Sequence, residues 1–215
     1  MWSRTNLVLM GALMLGIGGC MGTDPNVITN FGQYDEGIKK VQPLTESGIL
    51  AYAQGVERTA EQKADLEKAL PIIEELYRFR PTSSQILALK GRTLLALDRE
   101  DEAEKALLEG VNQWSAVLLS AENEIRNTMY YDLANISFAR GDYDEALERV
   151  DKALELGPDN LNCLVYKARI LIQTGEQSEA LKVLDRVLEL NPGDSEAELL
   201  KKFLKTSQGS EAASP

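Results

Sequence analysis

Few side chains in this sequence could carry covalent chemistry. None of its 215 residues is histidine, which removes Ser-His-Asp catalysis, Cys–His dyads and histidine-ligated zinc together. The two cysteines, Cys20 and Cys163, fall in regions with different fates, so no disulfide framework is expected. Cys163 is a single thiol in a helical pattern without a histidine to activate it, and reads as a small packed residue. The run Asp98-Arg99-Glu100-Asp101-Glu102 has carboxylates but no glycine turn for a calcium loop. It reads instead as a helix start, where carboxylates meet the positive end of the helix dipole. Gly11, Gly16, Gly18 and Gly19 follow no strand and cradle no phosphate. The expectation is a protein with no catalytic residue, no metal and no cofactor, and so not an enzyme.

Cys20 carries chemistry of another kind. Arg4 precedes an apolar run from Leu7 to Ile17, followed by Gly18, Gly19 and Cys20. The run is shorter than the roughly 20 residues a membrane-spanning helix needs. Ile17-Gly18-Gly19-Cys20 resembles the bacterial lipobox, whose cysteine is diacylated and becomes the first residue after cleavage. The resemblance implies a signal peptide over 1–19 and lipidation at Cys20, with acyl chains that anchor the protein without a spanning helix. Met21 follows the cysteine. In a cell with two membranes, that residue implies an outer-membrane lipoprotein facing the periplasm. The 34 acidic and 23 basic residues give a net charge of −11. Such a chain repels nucleic-acid phosphates, so no nucleic-acid partner is expected.

The chain is organised around a repeat. Gly141, Ala146, Leu147 and Pro158 recur 34 positions later as Gly175, Ala180, Leu181 and Pro192. Each unit reads as two helices, the first roughly Thr128–Arg140 and the second roughly Asp144–Leu156. Gly141 suits a left-handed helix end, and Pro158 closes the second helix. Small residues stand where helices must approach closely (Ala134, Ala146, Ala168 and Ala180), and larger apolar ones fill the seam (Tyr130, Leu133, Val150, Leu164, Leu171, Leu184 and Val187). One such hairpin cannot bury its apolar face alone, so the pattern implies stacking.

These residues resemble the tetratricopeptide repeat (TPR) family. Tyr130, Leu133, Ala134, Ala146, Ala153 and Pro158 fit its pattern in one unit, and Leu164, Ala168, Ala180 and Pro192 in the next. Ser137 and Val150 depart from it, as does Lys167. Pro81 fixes an earlier unit in which Leu87, Gly91, Leu94, Ala103 and Leu107 fall in phase, with Asp98 in the turn. The implied fold is all-α, a TPR-like α-solenoid of about four helical hairpins plus a C-terminal capping helix. The units lie near 50–83, 84–117, 127–160 and 161–194, with the cap over 195–206, inside a domain of 46–206. Residues 20–45, with Gly22, Pro25, Gly32, Gly37 and Pro43, read as a flexible tether, and 207–215 as a disordered tail. Thr59 with Gln62 reads as a capping box, and Pro71 as a kink or a new start. Leu118, Ala121, Ile125, Met129, Leu133 and Ile136 keep helical spacing, which extends the first helix of the third unit backwards to about Ala116 and makes the 118–126 insertion a protrusion with Trp114 at its base. Leu199, Leu200 and Phe203 are expected to cover the end of the stack, with Lys201, Lys202 and Lys205 outside.

The resemblance also implies a site. In the family the first helices line a concave groove that receives peptides. The matching positions here give Gln85, Arg92, Tyr131, Asn135, Phe138, Arg169 and Gln173, with Asp132, Val165 and Tyr166 beside them. Arg92, Asn135 and Arg169 hold equivalent places and are expected to form a row. Guanidinium and amide groups can bond a peptide backbone, while aromatic rings give apolar contact. The expected function is a membrane-anchored interaction scaffold of the bacterial cell envelope, binding a peptide or protein there and assisting assembly of an envelope, pilus or secretion complex. The alternative is a small-molecule or lipid-binding component serving a transporter, suggested by Val117-Leu118-Leu119.

Overall fold

The computed structural model describes residues 27–113 and 120–211, and among them every regular element is a helix. The signal segment, Cys20, Trp114, the Val117-Leu118-Leu119 run and the last four residues lie outside the described residues. The helices form four antiparallel hairpins and a cap: α1 (Phe31–Ala53) with α2 (Ala60–Phe79), α3 (Ser84–Ala96) with α4 (Glu100–Asn112), α5 (Ser120–Arg140) with α6 (Tyr143–Leu156), α7 (Leu161–Thr174) with α8 (Gln177–Leu190), then α9 (Ser195–Glu211). Each second helix packs on the first helix of the next hairpin, so the stack grows in one direction.

The local signals act where the sequence placed them. Gly141 and Gly175 turn with φ of 85° and 86°, a region in which a side chain is strained. Asp98 takes the same turn with φ 61°. An aspartate tolerates this conformation better than most residues, and here it is held by ion pairs to Arg58 and Lys63 of the preceding hairpin. The capping box at the start of α2 forms in both directions between Thr59 and Gln62. Pro71, read as a kink or a new start, sits inside one continuous α2. It lies on the exposed side beside exposed Glu67, where the carbonyl it leaves unpaired can be hydrated.

Two readings need correction. Residues 31–45, read as tether, belong to α1, whose N-cap is Asn30. The first hairpin therefore starts at Phe31 rather than near 50. Tyr34, Gly37, Val41, Thr45, Gly48 and Ala51 form a buried stripe at helical spacing. Half of that stripe is Gly or Thr, so it carries little hydrophobic signal. The glycine at 48 permits close packing, since a Cβ there would lie 2.7 Å from a Leu66 methyl. The second correction concerns α9, which continues through Gly209 to Glu211 and so takes up the start of the expected tail. It packs through Ala197, Leu200 and Leu204, while Leu199 and Phe203 are 67% and 57% exposed.

The described part of α5 bears out its backward extension as far as Ser120. Met129, Leu133 and Ile136 are buried against α3 and α4. A Cβ on Gly110 would lie 2.6 Å from the Met129 sulfur, which marks how closely α4 and α5 approach.

Candidate functional site: the concave face

The first helices present one face to the inside of the stack, and each hairpin places a side chain on it. From α3, the Arg92 Nε donates to an Asp132 carboxylate oxygen of α5 at 2.8 Å. Asp132 is only 13% exposed and Arg92 39%. Burial pushes the Asp132 carboxyl above the usual carboxylate range, and the Arg92 charge offsets only part of that. From α1, Tyr52 packs on the cluster formed by α3, α4 and α5, with the Arg58 guanidinium 5.4 Å from its ring centre. Burial raises its hydroxyl pKa, and the field of Asp132 adds to the effect.

Towards the C-terminal end the face becomes aromatic. The Tyr131 ring meets Tyr166 of α7 edge-on at 5.2 Å between centroids, and Phe138 lies 5.7 Å from the same ring. Such pairs add about 0.5–1.5 kcal/mol beyond the area they bury. Burial raises both tyrosine pKa values, so both hydroxyls are neutral donors at physiological pH. The Arg169 guanidinium sits 5.7 Å from the Tyr166 centroid and forms a loose 3.9 Å ion pair with Glu196 of α9. Tyr131, Asn162, Tyr166, Arg169 and Glu196 line an open cavity of about 250 Å³.

Tyr131, Phe138 and Arg169 thus converge on one ring, as members of one surface. Arg92, Asn135 and Arg169 each take a different partner. Arg92 is tied to Asp132, while the Asn135 amide donates 3.0 Å to the Tyr131 carbonyl of its own helix. Arg169 turns to Tyr166 and Glu196. Gln85 and Gln173 are exposed near the start of α3 and the end of α7. Sequence reasoning missed Tyr52, because α1 was placed too late, and it missed Glu196.

Cys163 is 1% exposed and donates its S–H to the Asn127 Oδ1 at 3.8 Å. Burial pushes its thiol pKa to about 11, so it is a packed, unreactive residue. The same Asn127 accepts from Asn160, the N-cap of α7, and donates to the Ala153 carbonyl, joining the third and fourth hairpins.

With this geometry in hand, comparison identifies the fold. Residues 137–202 match the family model described as tetratricopeptide repeat. No curated protein matches the sequence. Among solved structures, MamA is similar with a TM-score of 0.59 at 16% identity, over 68% of this chain and 81% of that one. YrrB, described as a TPR protein with an unusual peptide-binding site, gives 0.56 at 15% identity over 83% of each chain. The first TPR of Spaghetti, bound to an HSP90 peptide, gives 0.51 at 18% identity over 59% of this chain and 95% of its own. The described residues therefore have the tetratricopeptide-repeat fold, an all-α solenoid of four hairpins and a capping helix.

Proposed function

We propose that this protein is a lipid-anchored interaction scaffold of the bacterial cell envelope that holds a peptide or protein segment on its concave face. The observation that carries the reading is the convergence of four hairpins on that face, through Tyr52, Arg92, Tyr131 with Asp132, and Tyr166 with Arg169. A repeat surface with neutral hydroxyls, a guanidinium and edge-packed rings offers recognition without a nucleophile or base. The peptide sites carried by YrrB and by the first TPR of Spaghetti support the same use of the fold. The lipobox-like Ile17-Gly18-Gly19-Cys20 supplies the membrane end. With α1 starting at Phe31, only residues 21–30 separate that cysteine from the solenoid, a reach of at most about 35 Å. The scaffold would then work close to the membrane, where an envelope, pilus or secretion assembly is built.

Two measurements test this. Metabolic labelling with a fatty acid is expected to mark the wild type and not Cys20→Ser; an unlabelled wild type overturns the anchor. In-vivo photo-crosslinking from position 131 is expected to trap one discrete envelope protein, with the adduct weakened by Arg169→Ala. No adduct from position 131 overturns the concave site.

A further inference from the structure

The concave face does not stop at the fourth hairpin. Leu199 and Phe203 of α9 stand 34 positions after Val165 and Arg169 of α7, so they continue the same stripe on the next inner helix. Geometry agrees with the register. Ala197, Leu200 and Leu204 turn towards the stack, while Leu199 and Phe203, one turn apart, stay outside that contact and exposed. One turn before Leu199 stands Glu196, which meets Arg169 in the cavity. The cap therefore adds an apolar shelf to the aromatic end of the groove.

Charge says what the shelf can take. The first helices α3 and α7 each carry two cations and no anion, yet little of that charge is free. Lys90 and Lys167 pair outward with Glu74 and Asp151 of second helices. Arg92 pairs with Asp132 and Arg169 with Glu196. The concave face is electrically balanced inside a protein of net charge −11. The surplus lies on second helices such as α4, with five acidic residues to one basic. A strongly acidic segment would be repelled by the whole molecule, and a basic one drawn to the outer helices. End-on stacking of a second copy is disfavoured too, because the side of α9 where a further second helix would pack presents Glu198, Lys202 and Lys205, all exposed.

We infer that Leu199 and Phe203 form a docking shelf for an aliphatic or aromatic side chain of an extended, uncharged partner segment whose backbone lies along Tyr131, Tyr166 and Arg169. The inference rests on the concave-face reading above and sharpens it to one chemical class.

The test is selection of a random twelve-residue displayed peptide library on the full-length wild-type protein, with affinities of the enriched peptides measured by fluorescence anisotropy. The expected result is peptides with no net charge and a large apolar residue, binding at least tenfold more weakly to Leu199→Ser/Phe203→Ser and to Tyr131→Ala. Both shelf residues are exposed, so the double variant is expected to keep the wild-type melting temperature, and circular dichroism checks this. Peptides that need Tyr131 but ignore the shelf variant overturn the shelf and keep the concave site. Enrichment of acidic or basic peptides overturns the uncharged class. No enrichment at all removes both readings. Sedimentation that shows a wild-type dimer and a monomeric shelf variant assigns the shelf to a second copy instead, which also overturns the proposal.

Discussion

The third and fourth hairpins are one 34-residue unit filled in two ways. In the fourth, Leu171 and Leu184 are 2% and 0% exposed in an apolar cluster, with Val183 packed against it. In the third, the equivalents of Leu171 and Val183 are Ser137 and Arg149, and both are buried. The Ser137 hydroxyl donates to the Leu133 carbonyl and is bonded to Glu145. Arg149 donates to that same carbonyl at 3.0 Å, to Glu145 at 2.8 Å and to Glu104 of the second hairpin at 2.6 Å. Arg140 adds a second cation on Glu104, at 2.5 Å. Space that the fourth hairpin fills with a leucine and a valine is filled here by a bonded polar network that reaches back across the stack. The backbone tolerates both, because what a repeat needs is filled volume and satisfied donors, not a particular side chain.

The sharpest break is Arg149→Ala. It removes one of two cations from Glu104 and leaves polar groups buried in a void, so we expect a loss of about 3 kcal/mol, read from the urea midpoint. The corresponding Val183→Ala in the fourth hairpin should cost roughly 1 kcal/mol, since Val183 is only partly buried. Equal losses would dissolve the contrast.

Transplanting the fourth hairpin's solution is the complementary experiment. Ser137→Leu/Arg149→Val replaces the network with apolar groups, and Arg140 still pairs with Glu104. Such exchanges are neutral or stabilising by about 1–4 kcal/mol. A double variant as damaged as Arg149→Ala would show that the network fixes the junction between hairpins two and three in a way packing cannot replace.

Where the hairpins agree, they should fail alike. Ala146 and Ala180 are both fully buried at the helix crossing. Leucine at either place is expected to overpack and cost roughly 1–3 kcal/mol, seen as matched drops in melting temperature. An unchanged midpoint at either site would contradict the helix crossing itself.

The smallest effect is in pH. Burial pushes the Glu104 carboxyl up, but hydrogen bonds and charge from Arg140 and Arg149 outweigh it and hold the pKa below the ordinary range. A carboxylate depressed in the folded state contributes stability that is fully present above its unfolded pKa of about 4.3 and lost as pH falls through the folded value. Stability should therefore decline below about pH 4 more steeply in the wild type than in Glu104→Gln. Identical acid limbs would remove Glu104 from the network's energetics.

The sequence by itself determined the period, and with it most of the fold. Gly141, Gly175, Pro158 and Pro192 act on their own backbone, so the turns they make are legible without neighbours. The alanines at 134, 146, 168 and 180 likewise announced close helix crossings, and all four are fully buried. Only tertiary structure decided the rest. The α1 helix is built on Gly37, Thr45 and Gly48 as much as on Val41, and its buried stripe becomes visible once Leu66 and Leu76 of α2 lie against it. Ser137 looked like a departure from the repeat until Glu145 bonded its hydroxyl and Arg149 joined it on the Leu133 carbonyl. On the concave face, residue type and position were readable for Tyr131, Phe138 and Arg169. Which group each side chain takes as its partner was not, because Arg92 reaches Asp132, 40 residues away in sequence, and Arg169 reaches Glu196 on a different helix. Local signals fix backbone conformation within a few residues of themselves. Contacts between distant side chains exist only after the stack has formed, and there proximity, burial and charge choose among partners the sequence leaves equivalent.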